Sequence, residues 1–266
     1  MIIDFHSHCY PDNVAPKALH NLHYNYGVVA HSDGTLNGLR EGMAKAGIDL
    51  SVVLPVASRP GQFPKLTDWA MNITQENEDI ISFGSVFPRE DNWQEQIDYI
   101  KKSGLPGLKL HPDFQEFYFN EQRILDMISY AIDIGLLVTV HVGVDPACLE
   151  LVHSTPQMVR RLVDYVQSER LILAHLGGHL YWDEVLEYIC GTNCTIDMAL
   201  STGAINSKKL LKIMSNHGYD RILFGTDSPW SNQSISVRMM EVLDIQLPEG
   251  AKDKIMYGNA SRLLNL

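Results

Sequence analysis

Histidines placed at the ends of apolar runs are the first sign of chemistry in this 266-residue chain. Asp4-Phe5-His6-Ser7-His8 closes such a run near the N-terminus, and because strand side chains alternate with period two, His6 and His8 point the same way. Val140-His141-Val142-Gly143, Ala174-His175-Leu176-Gly177-Gly178 and Phe224-Gly225-Thr226-Asp227-Ser228 repeat the pattern. In each, a His or Asp stands where apolar sequence yields to a turn-forming stretch. A single buried His or a single Asp at such a point has an ordinary packing explanation; four junctions that each end in a metal-ligand residue do not. Neutral imidazoles with one carboxylate suit Zn²⁺ or another borderline divalent ion, with a position left for water. Such an ion lowers the pKa of water toward about 7 and supplies a nucleophile near neutral pH. A nearby His or Asp can then move the proton.

Holding these residues together requires elements that bring distant junctions to one rim. Runs rich in Val, Ile and Leu at Ile2–His8, Leu50–Val56, Ile80–Phe87, Gly107–His111, Leu136–Val142, Leu171–Leu176, Cys194–Met198 and Arg221–Thr226 read as strands. Most are continuously apolar, as expected of parallel strands covered on both faces. Amphipathic helices lie between them. Thr155-Pro156 is an N-cap followed by a proline at the first helical position, and Val159, Leu162, Val163 and Val166 then form one apolar stripe. Glu121 to Ile134 reads as a helix ended by Gly135; Ser207 reads as the cap of the helix carrying Leu210, Leu211 and Met214, and Gly47 and Gly104 stop two others. Eight alternations in this length predict one domain over residues 1–266, a (β/α)₈ TIM barrel of eight parallel strands. The open doubly wound alternative lacks its Gly-x-Gly-x-x-Gly after the first strand. Residues 9–34, with Tyr10, His20, His23, Tyr24, Tyr26 and His31, read as a rim or lid loop, and 231–250 as a second long connection.

Composition narrows the partners. Charged residues make up 20% and the formal net charge is −11, without the basic footprint that nucleic acid or an anionic membrane surface requires. A small-molecule substrate is the expected partner. Met1-Ile2-Ile3-Asp4 reads as a strand rather than a secretory leader, and no apolar run approaches the ~18 residues of a membrane span. The four cysteines form no Cys-x-x-Cys pair, so a reduced, cytoplasmic compartment is expected.

The segments DFHSH, GLKLHP, HVG, AHLGG and FGTDSPW, in that order, resemble the amidohydrolase superfamily and its amidohydrolase-2 branch. The closing Ile255-Met256-Tyr257-Gly258-Asn259-Ala260-Ser261-Arg262-Leu263 resembles that branch too. The resemblance implies that His6, His8, His141 and Asp227 ligate the metal. It implies that His175 lies near the activated water or the substrate, and that Asp227 also accepts the water's proton. In binuclear members the strand-four lysine is carbamylated and bridges two metals. Lys109 occupies that position here, on the same face as His111. The branch tends to be mononuclear, so one Zn²⁺ is expected, with His175 and a carbamylated Lys109 completing a second site as the alternative. On the one-ion reading Lys109 or His111 contacts a substrate oxyanion or simply fills the barrel mouth. Arg59, past the second strand, is a candidate carboxylate clamp, and Trp230 a candidate pocket wall. Asp4 reads as a supporting or structural carboxylate, Cys9 has no assigned role, and the facing of Asp197 is undecided.

The function expected is hydrolysis of an amide, lactone or related bond. The alternative is non-oxidative decarboxylation of an aromatic or unsaturated acid, which the same branch performs with the same ligands; the substrate pocket decides between them. A catalytically silent metal-binding scaffold is the distant third reading. A homodimer is compatible with the branch.

Overall fold

The apolar runs form parallel strands, each followed by helix, in a computed structural model that describes residues 1–149, 151–201 and 203–266. The strands are β1 (Ile3–Ser7), β2 (Leu50–Val53), β3 (Ile80–Ser82), β4 (Gly107–Leu110), β5 (Leu137–Val140), β6 (Leu171–Leu173), β7 (Thr195–Asp197) and β8 (Ile222–Leu223). They pair in chain order as two runs, β1 to β3 and β4 to β8. Backbone bonds join the runs at both seams. Gly84 N donates to Gly107 O and Lys109 N to Gly84 O, both at 2.9 Å; Phe5 N donates to Phe224 O at 2.9 Å and Asp227 N to His6 O at 2.8 Å. The ring therefore closes into a TIM barrel, as the alternation predicts.

Regular pairing stops short of the apolar runs at their C-terminal ends. β3 ends at Ser82 rather than Phe87, β6 at Leu173 rather than Leu176, and β8 at Leu223 rather than Thr226. The backbone explains the second: His175 (φ 59°) and Leu176 (φ 58°) are left-handed, a conformation that ends a β-ladder, and Asp227 (φ 68°) takes the same conformation beyond β8. His8, His111, His141, His175 and Asp227 thus stand just beyond the strands, at the rim where barrel enzymes assemble their sites. β1 also carries an extra residue between Asp4 and Ser7 relative to β2, so strict alternation fails inside it.

The helices are α1 (Ala15–Tyr26), α2 (Leu36–Ala46), α3 (Phe63–Glu76), α4 (Trp93–Lys102), α5 (Pro112–Gln115), α6 (Gln122–Asp133), α7 (Pro156–Val166), α8 (Trp182–Glu184), α9 (Ser207–His217) and α10 (Gln233–Asp244), with more helix over 251–264. Caps follow from local chemistry. Thr35 accepts from Gly38 N, and Gly47 (φ 71°) ends α2. Thr155 accepts from Met158 N ahead of Pro156, as expected. The cap of α9 is Asn206, which accepts from Lys209 N at 2.9 Å, and not Ser207; a side-chain carbonyl one residue earlier wins because Ser207 is already helical. Residues 9–34 are not an irregular loop. They contain α1, of which only Ala15 is fully buried, and their ends are pinned by Tyr10 N to Gly34 O (2.8 Å) and His31 N to Pro229 O (2.7 Å). The stripes of α6 and α7 pack in a continuous apolar core with Leu108, Leu110, Val138, Val140, Leu171 and Leu173. Among the described residues no helix is long and apolar enough to cross a membrane.

Candidate metal centre

Three donor atoms converge at the rim. His6 Nε2 lies 3.2 Å from His8 Nε2, and Asp227 Oδ1 lies 3.4 Å from the first and 3.1 Å from the second. The opposite edge of each ring decides what these atoms are. His8 Nδ1 is 2.8 Å from Leu54 O, which can only accept, so the hydrogen sits on Nδ1. His6 Nδ1 donates to Asp197 Oδ2 at 2.7 Å. Burial holds His6 well below the ordinary histidine range, with Lys109 adding to the effect, so the ring is neutral. Two imidazole lone pairs and a carboxylate oxygen therefore face one another with no hydrogen to share. An ion bound tetrahedrally at about 2.0–2.1 Å separates its donors by about 3.3 Å, which is the spacing found here.

His141 offers a fourth lone pair. His175 Nδ1 is 3.2 Å from Ala199 O, so it carries the hydrogen, and His175 Nε2 accepts from His141 Nδ1 at 3.0 Å. His141 Nε2 is left bare, buried and without a hydrogen-bond partner. Burial holds both rings well below the ordinary histidine range. A buried donor atom without a partner is costly unless something else meets it. The geometry makes His175 the residue that orients His141, because both His175 nitrogens are engaged within the protein. His141 sits in a neighbouring grouping with His111 and Asp145 rather than within the compact trio.

Local backbone permits these approaches. Gly225 lies against β1, where a Cβ would stand 2.9 Å from His6 Cβ. Asp227 holds its left-handed backbone with its N–H bonded to His6 O, its carbonyl accepting from Trp230 N (2.8 Å), and His8 N bonded to the next carbonyl, Ser228 O (2.6 Å). Burial raises the Asp227 carboxyl, and its polar and cationic neighbours, His8 and His6 first and then Lys109, more than reverse this, leaving it below the usual carboxylate range.

Asp197, whose facing the sequence leaves open, points inward. Besides holding His6, its Oδ1 accepts from His175 N (2.9 Å) and Ala199 N (3.0 Å). Burial pushes its pKa up to about 6, opposed by those donors and Lys109. Asp197→Asn turns an amide toward His6 Nδ1 and favours the tautomer with hydrogen on Nε2. Zinc affinity then falls about 10–100-fold, the range found for groups that orient a metal-binding histidine. Competition with a chromogenic chelator measures it, and unchanged affinity contradicts the role. Asp4 stays outside the trio because of the extra residue in β1: it accepts from Thr226 Oγ1 (2.6 Å), Thr226 N (2.9 Å) and Gln233 Nε2 (3.5 Å), and burial raises it to about 7.

Lys109 is buried, with its Nζ 3.4 Å from His6 Nε2. Burial lowers its pKa to about 8, while Asp197, Asp227 and Asp145 pull it back up. His111 stacks on His141 with ring centres 4.2 Å apart and faces Asp145. Trp230 is half-buried beside Asp227. Arg59 is exposed, and none of the described contacts joins it to the cluster. Burial pushes the Cys9 thiol up to about 12, consistent with an inert side chain.

Sequence reasoning passed over Asp145 and His179. Asp145 follows the strand-five histidine by four residues, so the signal was an acid in the Val142-Gly143-Val144-Asp145 turn. His179 is buried, its ring centre 5.6 Å from that of Trp182, and its Nδ1 has no hydrogen-bond partner. Tyr10, in the 9–34 segment, has its phenol pushed up by burial and by the charges of Asp227 and Asp145.

Comparison with known proteins agrees with this architecture. The amidohydrolase family model (amidohydrolase-2) matches residues 3–266. A search of curated proteins gave no significant match. Among solved structures, an uncharacterized TIM-barrel protein of Bordetella bronchiseptica superimposes with TM-score 0.77 at 17% identity, covering 99% of this chain and 98% of that one. A 5-carboxyvanillate decarboxylase of Novosphingobium aromaticivorans, solved with bound manganese, gives 0.70 at 13% identity, covering 100% and 97%. An amidohydrolase of Burkholderia multivorans with bound zinc gives 0.73 at 14%, covering 100% and 99%. At these identities the likeness establishes the fold.

Proposed function

The chain belongs to the amidohydrolase family, and from that premise we propose that it is a metal-dependent hydrolase acting on an amide, lactone or related bond of a small molecule. The observation that carries this is the convergence of His6 Nε2, His8 Nε2 and Asp227 Oδ1 at 3.1–3.4 Å with their ring hydrogens turned away. A divalent ion, with zinc the first candidate, supplies a Lewis acid and an activated water there when bound. His6, His8 and Asp227 would hold it, with His141 Nε2 as the fourth donor. Asp227 is the proton acceptor, a carboxylate kept ionised by its neighbours. Asp197, Leu54 and the His175–Ala199 pair fix which nitrogen each ring presents. Lys109 balances the buried carboxylates and stands ready to meet developing negative charge on the substrate.

Hydrolysis is favoured over decarboxylation by the charges at the mouth. No arginine contacts the cluster among the described residues, Lys109 is its one cation, and Asp145 and Asp227 both face it. A substrate defined by its carboxylate finds no planar clamp there. The decarboxylase names among the similar solved structures support the second reading, and release of CO₂ from aromatic acids tests it.

The deciding experiment is metal content by plasma mass spectrometry on protein purified without chelator, for wild type and Lys109→Ala, alongside an esterase, lactonase and amidase panel. About one equivalent of metal in both proteins, with hydrolytic turnover, is the expected result. Two equivalents in wild type that fall to one in the variant mean a bridging carbamate on Lys109. No metal in either overturns the proposal.

A further inference from the structure

The pair His111 and Asp145 is left over once the donor atoms are assigned, and its hydrogen bonds define what it can do. His111 Nδ1 accepts from Phe114 N (3.4 Å), so the neutral ring carries its hydrogen on Nε2 and donates it to Asp145 Oδ2 at 3.0 Å. Asp145 Oδ1 accepts from Ala147 N at 2.6 Å. One donor on each oxygen sets the orientation of the carboxylate and leaves further lone pairs on both. The His111 ring is itself held, stacked on Phe114 and on His141 with centres 4.2 Å apart in each case. His111, His141 and Asp145 offer donor atoms within 4.8 Å of one another. With the hydrogen on His111 Nε2, however, that ring has no lone pair to give a cation there.

Asp145 is not sealed in. Its side chain retains 14% exposure. An oxygen of Asp145 lies within 4.8 Å of a ring nitrogen of His141, and the charges of both Asp145 and Asp227 act on Tyr10, Lys109 and His179. A carboxylate held by one donor on each oxygen, partly exposed and with lone pairs to spare, is an acceptor and nothing else.

Resting on the metal-dependent reading above, we propose that Asp145, oriented by His111, is a specificity residue that accepts a hydrogen bond from a donor group of the substrate, so that the enzyme selects a small molecule bearing an ammonium group beside the bond to be cleaved and rejects one bearing a carboxylate there. Opposite charges in a partly buried site attract far more strongly than in water, and like charges in the same place repel. His111 acts through Asp145 and is a positioning residue.

The test uses three hydroxamic acids of matched length on zinc-loaded protein: β-alanine hydroxamate (cationic), butyrohydroxamate (neutral) and succinic monohydroxamate (anionic). Isothermal titration is expected to show the cationic probe binding about tenfold or more tighter than the anionic one, about 1.4 kcal/mol by the usual conversion. Asp145→Asn should bring the two within about threefold, with the neutral probe's affinity showing that the fold is intact; Asp145→Ser is the second replacement. Equal affinities in wild type, a preference for the anionic probe, or a cationic preference that survives both replacements overturns the assignment. Failure of all three probes to bind overturns the metal reading instead. The Asp145 assignment is then decided without metal, by titrating propylammonium and butyrate against ¹⁵N-histidine-labelled protein. A His111 Nε2 shift with propylammonium only, absent in Asp145→Asn, supports the assignment; no such shift overturns it.

Discussion

Asp227→Asn is expected to lower kcat/KM by about 10²–10⁴-fold, the range for removing a group that transfers a proton in the rate-limiting step, and to weaken metal binding as well. The substitution changes almost no volume. Its consequence is chemical: one amide hydrogen turns toward His8 Nε2 or His6 Nε2, which lie 3.1 and 3.4 Å from the present oxygen. The lone pairs that would meet an ion are then satisfied by the protein itself. Metal-free variant and wild type should differ in the opposite sense. The wild-type cluster sets two imidazole lone pairs against a carboxylate, and the asparagine relieves that repulsion, so the metal-free variant melts at a higher temperature than metal-free wild type. Zinc raises the wild-type melting temperature and leaves the variant's nearly unchanged, because only ligands that bind the native state shift it. Activity within tenfold of wild type, with metal retained, would remove Asp227 from both roles.

The second large effect is on the scaffold. Gly143 follows the strand-five histidine and has φ 97°, and a Cβ there would stand 2.1 Å from His179 N, 2.5 Å from His179 O and 2.7 Å from Gly178 C. All three are backbone atoms, so no side-chain rotation relieves the clash. The bonds at risk are His179 N to Val142 O (3.0 Å), Val144 N to His179 O (3.1 Å) and Gly143 N to Ser154 O (2.7 Å). The first two tie the segment after β5 to the one after β6, and the third ties it to the approach to α7. Gly143→Ala is expected to cost more than about 3 kcal/mol, combining overpacking with a left-handed alanine. That corresponds to a fall of about 6–12 °C in Tm for a chain of this size. Gly61→Ala is the control. Gly61 is also left-handed (φ 75°), yet a Cβ there meets nothing within 4 Å, so only the conformational cost of about 1–2 kcal/mol applies. Equal melting temperatures for the two variants would mean that the close approach at Gly143 is not what holds the rim.

Much of this protein was legible as sequence. Ligand-type residues fall where apolar runs end, and eight such runs alternate with helical stripes, so the TIM barrel and the amidohydrolase resemblance both follow from local patterns. Those patterns are short-range: a period of two or 3.6 residues, a cap, a glycine after a helix. Tertiary structure decided the rest, because the groups that set the site's chemistry come from elsewhere in the chain. Asp197 lies 191 residues from the His6 ring it orients, and the Leu54 carbonyl 46 residues from His8. Ala199 O, which sets His175 and through it His141, is a backbone atom whose side-chain identity carries no signal. The extra residue in β1 breaks the strict alternation of that strand, and Asp4 bonds to Thr226 and Gln233 rather than joining His6 and His8. Arg59, plausible as a clamp from its place after the second strand, is exposed, while Asp145, four residues past the strand-five histidine, faces His111. Residue types at strand ends determined which chemistry was available; the folded backbone decided which lone pairs point at one another, since a ring's free nitrogen is chosen by whatever accepts from the other one.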